Sequence, residues 1–107
     1  MPDHADLAAS MLDELRIALR VSTDSFDAEI LMLAESALND MERIGIRPDY
    51  IEEMGARVRN AVVCYVKAGF GFDNADARMF DSSYRQIIAD MSNSYENEAF
   101  AEVRPDV

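Results

Sequence analysis

Apolar residues recur along this chain at steps of three and four, the period of α-helices that each bury one face. Leu7, Met11, Leu15 and Leu19 lie four apart with Leu12 beside them, which predicts a first helix. Ser10 with Asp13 has capping spacing for a shorter version of it that leaves residues 1–9 frayed. The cluster Ser22-Thr23-Asp24-Ser25 ends this segment, because its side chains favour turns and caps. A second helix follows on Phe26, Ile30, Leu33, Ala37, Met41 and Ile44. Asp24 and Asp27 sit in its first turn, where the macrodipole favours negative charge. Gly45, with Pro48 three residues beyond, marks its stop.

The third helix is predicted to begin at Asp49, which has capping-box spacing to Glu52. Its apolar face is Ile51, Met54, Val58, Ala61, Val62, Tyr65 and Val66. The stretch from Ala61 to Val66 is apolar nearly all round, which suits the centre of a bundle. The β-branched Val62, Val63 and Val66 also suit a short strand, but the length of the pattern favours a helix. A fourth helix carries Phe80, Tyr84, Ile87, Ile88, Met91 and Tyr95 on one stripe, after which the periodicity fades. Short connections favour antiparallel neighbours. The expected fold is all-α, a small four-helix bundle over residues 1–95 as one domain, with residues 96–107 a mobile acidic tail.

At 107 residues the chain has the size of one domain, able to bury roughly 65% of its unfolded surface without a metal or disulfide staple. There is no apolar run long enough to span a membrane, and the acidic start MPDHADLAAS does not read as a secretory signal. The single Cys64 fits a reducing compartment. Ten basic residues against 21 acidic ones give a net charge of −11. The cations are scattered rather than clustered, the reverse of a nucleic-acid-binding footprint, and the balance equally disfavours an anionic membrane.

The stretch YVKAGFGFDN at residues 65–74 invites a phosphate-loop reading. That reading needs a strand before G-x-G-x-x-G and a helix after it. Here a helix precedes Gly69 and Gly71, Asn74 takes the third glycine's place, and Lys67 comes before the glycines. A helix joint accounts for every residue: Gly69 or Gly71 takes the left-handed turn, and Asp73 with Asp76 opens the next helix. Phe70 and Phe72 either fold onto the core or anchor a partner. His4 and Cys64, each the only one of its kind, make neither a zinc site nor a nucleophile pair. Carboxylate pairs such as Asp13/Glu14, Glu52/Glu53 and Asp73/Asp76 are what so acidic a chain produces on solvated faces. No calcium loop is present, and the seven methionines suit a plastic core. No catalytic residue, metal ligand or cofactor-binding residue is assigned, and an enzyme is the least favoured class.

Two stretches carry a family resemblance. MLDELRIALRVSTDSFDAEILMLAESALNDM resembles the opening of the small head–tail connector (adaptor, or head-completion) proteins of tailed bacteriophages: a short helix ending in Leu-Arg-Val/Ile, an acidic turn, then a long helix. AVVCYVKAGFGFDNADARMFDSSYRQIIADM is similar to their second half, a Tyr-Val-Lys-Ala helix running into a Phe-Gly turn, Asp-Asn, and a helix with Phe and Tyr four apart. The resemblance spans roughly residues 10–93. It implies a structural virion protein at the head–tail junction, assembled in the host cytoplasm. Such subunits form homo-oligomeric rings, about twelve-fold, each subunit meeting the next through unlike patches. The ring sits under the portal protein, extends the DNA channel without specific binding to DNA, and docks the downstream tail or head-closure protein. No catalytic residues or cofactors come with the resemblance. The candidate partner or oligomer interface is Tyr65, Lys67, Phe70, Phe72 and Asp73 of the turn, with Gly71 and Asn74 beside them, and Phe80 and Tyr84 after it. The connection GIRPDY is shorter than the excursion that relatives often carry there.

Two other classes compete. A small acidic interaction module, acting as a DNA mimic on a partner protein, would want its acids on one face, and here they spread over all four helices and the tail. A DNA-packaging subunit would want a basic helix-turn-helix, and none is visible.

Overall fold

Among residues 3–71 and 74–93, which the computed structural model describes, the chain forms six α-helices and no β-strand. They are α1 (His4–Ala9), α2 (Leu12–Leu19), α3 (Asp27–Arg43), α4 (Pro48–Glu52), α5 (Ala56–Gly69) and α6 (Ala77–Asn93). The all-α expectation holds, and Val62, Val63 and Val66 are helical. Tyr95 and the expected tail, 96–107, lie outside the described residues.

Two of the four expected rods are each broken once. The apolar period runs straight through both breaks, which is why spacing alone predicts continuous helices. At the first break the Ser10 hydroxyl donates to the Leu7 carbonyl at 2.6 Å, competing with the helical ladder, and the Met11 amide reaches back only three residues, to Ala8. The residues before it are not frayed. Asp3 caps α1 by accepting from the Asp6 amide at 2.9 Å. Leu7 and Ala8 are buried. The His4 ring sits between Asn39 Oδ1 and Glu42 Oε1 of α3, the latter 3.0 Å away.

The second break falls at Met54 and Gly55. Met54 has φ +50, and Gly55 is the extended N-cap of α5. The Arg59 guanidinium bonds the Met54 carbonyl at 3.0 Å and reaches Glu14 of α2 at 2.5 Å. The Asp49–Glu52 capping box is not formed. Arg47 is the N-cap of α4 and Pro48 its first residue, a position where the missing N–H costs nothing. Asp49 instead accepts from the adjacent Tyr50 amide and pairs with Arg47.

Two helix ends close with the same left-handed motif. After α3, Gly45 has φ +113, and the Gly45 and Ile46 amides bond the carbonyls of Glu42 and Met41. After α2, the equivalent position is Arg20, with φ 60 and ψ 41, and Val21 and Arg20 bond back to Arg16 and Ile17. A side chain in this conformation costs about 1 kcal/mol, which glycine avoids. Arg20→Gly is therefore expected to raise stability by up to about 1 kcal/mol, read as a higher urea midpoint. A lower midpoint would show that the guanidinium contributes more than the strain costs.

α3 and α5 run antiparallel at the centre, since Glu29 and Leu33 meet Gly71 and Gly69. α6 packs antiparallel on α5, and the α1–α2 segment lies along α3, with α2 also touching α5. One core runs from Leu7 to Met91. On α3 the buried stripe is Ile30, Ala34, Ala37, Leu38 and Met41, rotated from the one spacing suggests. Phe26 is 45% exposed, and Leu33 is only partly covered.

Candidate functional site

α3 and α6 both pack on α5 but scarcely on each other. This leaves an open groove of about 830 Å³ with the C-terminal half of α5 as its floor. Leu33, Ile44, Tyr65, Ala68 and Ile88 give it an apolar lining, and Asp40, Arg43, Arg78, Asp81 and Arg85 stand along its walls.

Two of the sequence-predicted residues form the seam between α5 and α6. Tyr65 and Tyr84 meet edge to face, with ring centroids 5.1 Å apart, an arrangement worth about 0.5–1.5 kcal/mol beyond area burial. Tyr84 is 5% exposed, so its ring serves the core. Its hydroxyl crosses the groove and donates to Asp40 at 2.7 Å, and Arg43 pairs with the other Asp40 oxygen at 2.6 Å. Burial, helped by the Asp40 bond, pushes the Tyr84 hydroxyl far up, so it stays a donor. Burial also works to raise the Asp40 carboxyl, but the bonds from Tyr84 and Arg43 outweigh it and hold the carboxyl below its ordinary 3.8. A depressed carboxylate contributes stability that is present above its unfolded pKa and lost as the pH falls through the folded value. Stability should therefore hold above about pH 5 and decline below about pH 4, and Asp40→Asn should flatten part of that decline. An acid arm unchanged in Asp40→Asn, followed by urea midpoints across the range, would contradict the assignment.

The turn after α5 is a stitched joint. The Asn74 amide group donates to the carbonyls of Lys67 at 2.5 Å and Phe70 at 3.4 Å, while its oxygen accepts from the Asp76 amide at 3.1 Å. One side chain thus serves the end of α5 and the start of α6. Gly71 takes the left-handed turn with φ +84, whereas Gly69 is the last residue of α5. A Cβ at Gly69 would stand 2.9 Å from Leu33 Cδ2, so this glycine lets α5 end close against α3. The Gly71 amide donates to the Glu29 carboxylate at 3.3 Å. An acid at this donor repels a phosphate, which counts against the phosphate-loop reading, as does the helix that precedes the glycines.

Phe70 folds inward, edge to face with Phe26 at 5.6 Å. Lys67 Nζ lies 5.1 Å above the Phe80 ring, within cation–π range. Phe72 and Asp73 lie outside the described residues. Tyr65 and Tyr84 line the groove, while Lys67, Phe70 and Phe80 border the joint at its end. Sequence reasoning missed the charged walls, because Asp40, Arg43, Arg78, Asp81 and Arg85 come from two helices that only the fold brings together. The one available signal was the i, i+3 and i, i+4 spacing of Asp40–Arg43 and Asp81–Arg85, whose pairs measure 2.6 and 2.9 Å.

Cys64 is partly buried, and desolvation pushes its thiol up against a smaller opposing effect from Lys67. Among the described residues no three of His, Cys, Asp and Glu gather as they would around a metal ion, and no helix is long and apolar enough to cross a membrane.

No curated protein and no solved structure matches the chain. The phage connector protein family does: its model covers residues 11–98, which takes in α2 to α6, the groove and the glycine joint. With most of its length inside that match, this chain belongs to the phage connector protein family.

Proposed function

We propose that copies of this chain assemble as a ring, about twelve-fold, beneath the portal of a phage head, where each subunit meets the next through unlike surfaces. In this reading the ring extends the DNA channel, offers its free face to a tail or head-closure protein, and joins the virion at the head–tail junction after assembly in the host cytoplasm. Membership of the connector family over residues 11–98 carries it. The geometry supports it in two ways. The groove between α3 and α6 is a concave surface on one side. Ile17, 78% exposed on α2, and Met32, 63% exposed on α3, are apolar side chains without cover elsewhere on the subunit. Such unlike patches suit a heterologous contact. The domain proposed for this role ends near residue 95.

Negative-stain microscopy with light scattering, with and without portal protein, tests the reading. Rings, or assembly that depends on the portal, are the expected result. A chain that stays monomeric with the portal present would overturn it. The net charge of −11 suggests that acids facing the lumen repel the DNA backbone and let it slide. Reversing the acids that line the assembled ring should then slow DNA ejection, and ejection at the normal rate would refute that role.

A further inference from the structure

We propose that the groove between α3 and α6 receives residues 94–107 of a neighbouring copy, so that each subunit holds the C-terminal segment of the next. The inference rests on the ring reading above and specifies its contact.

Charge is the first argument. The chain carries 10 basic and 21 acidic residues, yet three arginines stand at this one groove against two acids. Arg43 and Arg85 lean on Asp40 and Asp81, but their side chains remain 72% and 75% exposed, with donors to spare. Arg78 is exposed and has no ion pair among the described residues. The segment SYENEAFAEVRPDV supplies what this surface lacks: Glu96, Glu98, Glu102 and Asp106 against a single Arg104, with Tyr95, Phe100 and Val103 interspersed. Aromatic anchors on an apolar floor with acids against an arginine rim is a complementary pairing.

Chain direction is the second. α6 forms one wall of the groove and ends at Asn93, so a segment docking beside its own α6 would have to double back at once. Residues 94–107 contain no glycine, and their one proline is Pro105, so the strongest reversal signals are absent from their start. Extended, 14 residues reach up to about 46 Å, ample to arrive at an adjacent subunit. A groove on one copy holding a segment from another is heterologous and closes into a ring when the rotation permits. The family match ends at residue 98, so most of this segment lies outside it.

Two variants of the full chain test the proposal, a groove variant, R78E with R85E, and an arm variant, Y95A with F100A. Arg78 and Arg85 are exposed, and far-UV circular dichroism checks that each variant folds. Self-association is followed by sedimentation velocity, with and without portal protein. Each variant is expected to weaken it by about tenfold or more. Mixing the two should restore a single junction per pair, because the groove variant keeps its arm and the arm variant keeps its groove. The wild-type contact should weaken as salt rises. Rings that form equally well in both variants would overturn the proposal while leaving the ring reading standing. A wild-type chain that is monomeric even with the portal would overturn both. Weakening by each variant without rescue on mixing would show that each arm serves its own groove, and it too would overturn the proposal.

Discussion

Tyr84→Ala is expected to destabilise the fold by about 3–5 kcal/mol, the usual cost of emptying a large buried aromatic site. Three losses coincide at this residue. Its ring, 5% exposed, leaves a cavity between α5 and α6; the edge-to-face partner of Tyr65 disappears; and Asp40 loses its hydroxyl donor. Tyr84→Phe separates these effects. It keeps the ring and removes only the 2.7 Å bond, so about 1–2 kcal/mol is expected, since Asp40 is ionised and only partly covered. Equal costs for the two substitutions in urea unfolding would show that the hydroxyl, not the ring, holds α6 in place. For a domain whose total stability is about 5–15 kcal/mol, Tyr84→Ala removes much of the margin.

Leu38→Ala should cost about 2–5 kcal/mol, while Leu33→Ala and Phe26→Ala should each cost less. The reason is the rotation of α3. Leu38 is 0% exposed, flanked by Ala34, Ala37 and Met41 at the same value, so nothing can relax outward into the space it vacates. Leu33 is only partly covered, and Phe26 is 45% exposed. Spacing alone placed Leu33 and Phe26 on the buried stripe and omitted Leu38. Thermal unfolding of the three variants ranks them directly, and a Phe26→Ala cost as large as that of Leu38→Ala would mean that the stripe has been assigned to the wrong face.

That contrast shows how much of the protein can be read without coordinates. Helical class, the positions of Gly45 and the 65–74 joint, and the central place of α5 all follow from local rules. A period near 3.6, a glycine that accepts a left-handed turn and an all-round apolar stretch each act over a few neighbouring residues. Tyr65, Phe70, Phe80 and Tyr84, with Lys67 among them, are visible at this level as an unusual aromatic group, but not in their separate tasks.

Tertiary structure decided the rest. The breaks at Ser10 and at Met54-Gly55 leave the apolar period intact, so spacing does not separate α1 and α4 from the helices that follow them. The local warnings were Ser10, at capping spacing from Asp13, and Gly55, lying inside an otherwise helical pattern. Asn74 ties α5 to α6 through two carbonyls and an amide on opposite sides of the turn, a task its spacing does not reveal. The groove walls come from α3 and α6, whose arginines are more than thirty positions apart in the chain. Sequence by itself determined the helices, because periodicity and backbone preference are local. Which faces they bury, and which charges then share one groove, depended on how six helices fill a common interior, and that is a property of all of them together.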